Sequence, residues 1–192
     1  EELEEKPENG EETPLPIKVA VVGRPNAGKS SLVNAILQDR RTIVSNVAGT
    51  TRDAIDIPYL HDGQPYVLID TAGMRPRSRR DTSVEVFSAM RSEKAIRRAD
   101  ICLLVIDIAA GITQQDRRIA GIIAEEGKPC IIIVNKFDLF HPNASRKDRM
   151  AEVEEQVRRE LFFISYAPFI ATSAKKAEGV EIIFKVITRI RR

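Results

Sequence analysis

The chain of 192 residues holds two cysteines, two histidines and no apolar run approaching the roughly 20 residues that cross a bilayer. Each scarcity closes off a class of protein. Cys102 and Cys130 both lie inside apolar runs and so read as buried, reduced thiols, not as a disulfide or a metal pair. His61 and His141 stand in polar, turn-like stretches and form no ligand cluster, which assigns both to the surface. The N-terminus is acidic where a secretory signal would be basic, and no internal repeat is present. A soluble, cytoplasmic protein without membrane contact is expected.

What the chain does have is ordinary globular material. Hydrophobic residues make up 43% and charged residues 30%, which permits a packed core and excludes a wholly disordered or collagen-like chain. The net charge of +2 conceals an asymmetry, because the opening EELEEKPENGEE carries seven Glu and one Lys. The remainder is strongly basic. With Leu3 its lone large apolar residue, the opening stretch cannot bury enough surface to offset its ordering entropy. Residues 1–16 are therefore expected to be an acidic, disordered linker and residues 17–192 one domain.

From Ile17 onward, short strand-like runs alternate with longer helical patterns, the signature of βαβ units around a mostly parallel sheet. Six strands are expected: Lys18 to Val22, Ala54 to Leu60, Gln64 to Asp70, Ile101 to Asp107, Cys130 to Asn135 and Pro168 to Ala171. Only Asp62-Gly63 separates the second from the third, so these should form an antiparallel hairpin that places one antiparallel strand at the edge. Helices are expected over Lys29 to Leu37, Asp81 to Ala99, Thr113 to Glu126, Ser145 to Leu161 and Val180 to Arg192, on both faces.

Three motifs fall at the ends of these strands. Gly23-Arg24-Pro25-Asn26-Ala27-Gly28-Lys29-Ser30 is a G-x-x-x-x-G-K-S loop between a strand and a helix that continues with Ser31. Its backbone N–H groups and helix N-terminus can cradle phosphates, Lys29 can reach the β and γ phosphates, and Ser30 can coordinate Mg²⁺. Asp70-Thr71-Ala72-Gly73 follows YVLI; the carboxylate can hold a metal-bound water and Gly73 can approach a γ-phosphate. Asn135-Lys136-Phe137-Asp138 follows CIIIV, and Asp138 can accept two hydrogen bonds from guanine where adenine would leave it unpaired. Ser173-Ala174-Lys175 can give a backbone N–H to the guanine oxygen, with the stems of Lys136 and Lys175 over the ring faces. An ATP-dependent kinase is disfavoured on the same ground.

With these motifs in this order, the chain resembles the translation-factor-related P-loop GTPases, in the group that includes Era and the tRNA-modification GTPases. It is most similar to the second GTPase domain of the bacterial tandem GTPases, through IVSNVAGTTRDAID, YVLIDTAGMRPRSR, SVEVFSAMRSEKAIRRAD and GITQQDRRIAG. The resemblance implies GTP and GDP as ligands and a switch that hydrolyses GTP in maturation of the large ribosomal subunit. It also implies that the chain is part of a longer protein with a first GTPase domain and a KH-like domain, acting on rRNA. By resemblance, Thr51 is the Mg²⁺ ligand of the first switch, with Thr50 as fallback. Met74 stands where Ras-like enzymes carry a water-orienting glutamine, and Arg52 is a weak candidate for a cis finger. In relatives with a hydrophobic residue there, the resemblance points to K⁺ held by the phosphate-loop asparagine, here Asn26, although a plain turn role for Asn26 stays open. The catalytic set implied is Lys29, Asn26, Thr51 and Gly73. The basic run Arg75, Arg77, Arg79 and Arg80 reads as a solvated face or a phosphate or rRNA contact. Other readings are the G domain of a tRNA-modification GTPase, favoured by Ala27, and a nucleotide-sensing module with negligible turnover, suggested by Met74.

Overall fold

A computed structural model describes residues 14–44, 56–71 and 84–191. Seven strands, β1 (Ile17–Val22), β2 (Thr42–Val44), β3 (Ile57–His61), β4 (Gln64–Ile69), β5 (Ile101–Asp107), β6 (Cys130–Asn135) and β7 (Phe169–Ala171), form one sheet. Its order is β2-β3-β4-β1-β5-β6-β7. From β4 to β7 all neighbours are parallel, while β2 and β3 are antiparallel to their partners. The mixed, largely parallel sheet is as expected, with a seventh strand beyond the six; that strand, β2, takes the edge position expected for the antiparallel β3. Thr42–Val44 is too short and exposed to show an alternating pattern; pairing Ile43 with Leu60 makes it a strand.

Among the described residues, five α-helices cover the sheet: α1 (Lys29–Gln38), α2 (Val84–Arg98), α3 (Gln114–Glu125), α4 (Arg146–Glu160) and α5 (Val180–Ile190). Leu32 and Ile36 of α1 join Ile183, Phe184 and Ile187 of α5 against one face. Ile96 of α2, Ile119 and Ile123 of α3, and Val153 and Val157 of α4 pack on the other. The central strands β5 and β6 are buried at every position, as their continuous apolar runs require. The alternation of side-chain direction in β3 turns Tyr59 and His61 inward.

His61 is therefore not a surface residue. It is 4% exposed, its ring stacks on Phe184 at 3.6 Å between centroids, and its Nδ1 lies 3.2 Å from Thr42 Oγ1. Burial pushes its pKa below the ordinary value, against the raising effect of Asp62 and Asp39 and with a smaller lowering by Arg41. His141 is exposed as expected. Cys102 and Cys130 are buried free thiols in register on adjacent strands, and burial pushes Cys102 up to about 12. No described helix is long and apolar enough to cross a membrane.

Candidate functional site

The parallel strands all point their C-terminal ends to one edge of the sheet, where the chain turns to β4 on one side of β1 and to β5 on the other. Such a switch point leaves a crevice above the first strand. The loop Gly23–Gly28 crosses that edge from β1 into α1, whereas α3 and α4 begin with side-chain caps from Thr113 and Ser145. The N-cap of α1 is Gly28, which gives no side-chain cap, and a helix start of this kind can receive an anion. The uncapped start of α5 at Gly179 shares that feature without the surrounding loop.

Both loop glycines are needed by packing of the protein on itself. A Cβ on Gly23 would lie 2.5 Å from the Val105 carbonyl oxygen, and one on Gly28, at φ 102°, would lie 2.1 Å from Asn135 Nδ2. Asn26 also has a left-handed backbone, φ 64°, a conformation that asparagine tolerates better than most residues. Its carbonyl accepts from Lys136 Nζ at 2.8 Å. Ala27 is fully buried, Pro25 partly buried, and Ser30 and Ser31 exposed. Lys29 Nζ bonds the carbonyls of Gly23 at 2.7 Å and Arg24 at 2.8 Å, lying across the loop. Burial lowers its pKa to about 8, and Asp116 opposes the shift.

Asn135 joins three segments. Its Nδ2 donates to the Ala27 carbonyl at 2.9 Å, while its Oδ1 accepts from Ala174 N at 2.9 Å and Thr172 Oγ1 at 3.3 Å. All are buried, so removal of the amide would strand polar groups at about 1–3 kcal/mol each. With Ala174 N engaged by Asn135 and Ser173 N by Glu178, Lys175 carries the amide of that turn for which no partner is recorded among the described residues. Lys136, left-handed at φ 59°, sends Nζ between the phosphate loop and Asp107, 2.6 Å from its carboxylate. Asp138 lies 3.4 Å from Lys176 Nζ. Burial raises its pKa, but the Ser173 hydroxyl and Lys176 together outweigh this and hold the carboxyl below its usual range. It is an ionised acceptor at neutral pH.

Asp70 follows β4 with φ 53°, and Thr71 comes next. Ser30 and Asp70 offer the hard oxygen donors that Mg²⁺ takes. Thr50, Thr51, Arg52, Ala72, Gly73, Met74 and the arginines from Arg75 to Arg80 lie outside the described residues.

Three acidic residues were missed by motif reading. Asp107 pairs with Lys136. Asp116, fully buried, closes the capping box of α3 with Thr113 and sits 3.4 Å from Arg24 Nε; its Oδ1 and that Nε have no hydrogen-bond partner among the described residues. Asp56 meets the Asp70 backbone and Arg98. Only Asp116 left a trace in the sequence, as the N3 position of a Thr-x-x-Asp helix start.

Residues 18–136 match the family model described as 50S ribosome-binding GTPase. The chain is 98% identical over all 192 residues to GTPase Der of Akkermansia muciniphila, spanning 41% of that protein. It is 50% identical over 175 residues to GTPase Der of Desulforudis audaxviator, covering 91% of this chain and 39% of that protein. The chain thus spans about two fifths of the length of these curated relatives. Among solved structures, Era in complex with MgGDPNP and nucleotides 1506–1542 of 16S ribosomal RNA superposes with a TM-score of 0.66 at 26% identity. That match covers 90% of this chain and 56% of Era.

Proposed function

The chain belongs to the family of 50S ribosome-binding GTPases, and from that premise we propose that it binds GTP and GDP through this site and hydrolyses GTP as part of a switch in large-subunit biogenesis. The observation that carries the reading is the Asn135 side chain. It bonds the phosphate loop at Ala27 and the turn at Ala174 together, so that Asp138 and Lys29 address the two ends of one nucleotide.

Gly23 to Ser31 surround the phosphates with backbone N–H groups, and Lys29 offsets charge on the β and γ oxygens. Asp138 accepts from guanine, with Asn135, Lys136 and the Ser173–Lys175 turn framing the base. Ser30, Asp70 and, in the triphosphate state, Thr51 would hold Mg²⁺, which would supply neutralisation of phosphate charge. That Era is described with MgGDPNP supports this set. Water attacks the γ-phosphate to give GDP and phosphate; Gly73 would approach the γ-phosphate, and Asn26 would hold a K⁺ that supplies the positive charge an arginine finger otherwise brings. Residues 17–192 act as the GTPase domain and 1–16 as a linker, within a cytoplasmic protein whose first GTPase domain and KH-like domain bring it to rRNA.

Asp138→Asn tests the reading. The variant should lose GDP affinity by about 10³-fold or more and gain affinity for xanthosine diphosphate, whose 2-oxo group accepts where guanine donates. Equal GDP affinity in variant and parent, by fluorescent-nucleotide titration, would remove Asp138 from the base site.

A further inference from the structure

Asp56 belongs to none of the nucleotide motifs, yet its side chain is 5% exposed, deeply buried for a carboxylate. Its Oδ1 accepts the Asp70 backbone N–H at 2.9 Å. Both of its oxygens face the guanidinium of Arg98, with Nη1 3.4 Å from Oδ1 and Nη2 in close contact with Oδ2. One carboxylate therefore gathers the residue that precedes β3, the residue that follows β4 and the last residue of α2.

Asp70 adopts a left-handed backbone, φ 53°, which a non-glycine residue keeps only where its surroundings hold it. The direction of its carboxylate depends on that backbone. The Asp70 N–H is bonded to a carboxylate whose two oxygens are both engaged by one guanidinium, so the acceptor itself is fixed in place by Arg98.

We propose that Asp56, anchored by Arg98, is a positioning residue that aims the Asp70 carboxylate at the metal bound with the nucleotide. This rests on the reading of Asp70 as a Mg²⁺ ligand. Asp56 touches neither nucleotide nor metal in this scheme, so its loss should weaken the Mg²⁺-dependent part of nucleotide retention and spare the base and phosphate contacts made by Asp138 and Lys29.

The test is dissociation of a fluorescent GDP analogue from the 192-residue chain, followed in excess MgCl₂ and in excess EDTA. The quantity read is the ratio by which Mg²⁺ slows release. For Asp56→Ala that ratio should fall about tenfold, the worth of one charge-assisted hydrogen bond, while the EDTA rate stays within about twofold of the parent. Asp56→Asn keeps an acceptor oxygen but loses the pairing with Arg98, so its ratio should fall between those of Asp56→Ala and the parent. Arg98 is 39% exposed and can be replaced without opening the core; Arg98→Ala should also reduce the ratio, and it decides the matter if Asp56→Ala does not fold. An unchanged ratio in both Asp56→Ala and Arg98→Ala overturns the proposal, as does faster release by the same factor in both media. No Mg²⁺ effect in the parent, or an unchanged ratio in Asp70→Ala, would instead overturn the reading of Asp70 as a ligand.

Discussion

The two ends of the crevice, proposed to take the base and the metal, are held by different physics. At the base end a neutral amide, Asn135, binds two backbone groups and a hydroxyl in a fully buried setting. At the proposed metal end the carboxyl group of Asp56 binds one backbone amide and a partly exposed arginine. Neutral buried bonds hold their geometry at any salt concentration, while an ion pair reaching solvent is open to screening and to exchange of partners. The difference places rigidity where one base must be told from another. The more adjustable support lies at the end where the proposed switch would respond to a γ-phosphate.

The sharpest way to break this comparison is to remove the neutral rivet. Asn135→Ala leaves the Ala27 carbonyl, the Ala174 amide and the Thr172 hydroxyl without their partner, so GDP affinity should drop by about 10²-fold or more in Mg²⁺ and EDTA alike. The nucleotide-free protein should also melt several degrees lower. A variant that loses only Mg²⁺-dependent retention would show that the two ends are not held separately.

Lys29 stands between the ends and sharpens the contrast through charge. Burial places its pKa at about 8 without ligand, and phosphate oxygens would raise it, so binding takes up a proton above pH 8 and none well below. Affinity should be flat up to about pH 7.5 and fall by at most tenfold per unit above pH 8. Calorimetry at pH 8.5 in two buffers of different ionisation enthalpy should find roughly half a proton or more taken up per GDP. Zero uptake would show that Lys29 is already fully charged in the free loop.

The smallest effect concerns the hairpin behind the metal end. The folded His61 pKa lies below its ordinary value because burial disfavours the charged ring. The folded state then binds fewer protons than the unfolded chain as pH falls below about 6.5, so this contribution to stability is complete above that pH and lost on descent through the folded pKa. Melting temperature without nucleotide should decline from pH 7 to pH 5.5, and His61→Phe, which keeps a ring against Phe184, should decline less. Parallel slopes in the two proteins would assign the decline to other groups.

Local pattern carried much of this structure into view. The continuous runs ICLLVID and CIIIVN announce strands buried on both faces because no other element buries so many consecutive β-formers. The phosphate loop and the Asn135–Asp138 segment are legible because their chemistry needs residues at short, fixed spacing. Asp62-Gly63 specifies its hairpin since both residues take positive φ.

What the sequence determined by itself was therefore the alternating α/β order, the guanine-nucleotide motifs and their place at strand ends, each written within a few consecutive residues. Only the tertiary structure decided the rest. It made Thr42–Val44 a strand by giving it β3 as a partner, and buried His61 by setting Phe184 from the far end of the chain on its ring. It gave Asp56, Asp107 and Asp116 their roles by bringing up Asp70 and Arg98, Lys136, and Arg24. Hydrogen bonds and ion pairs act over a few ångströms in space whatever the separation along the chain, so a lone acidic residue shows its purpose only when its partners arrive.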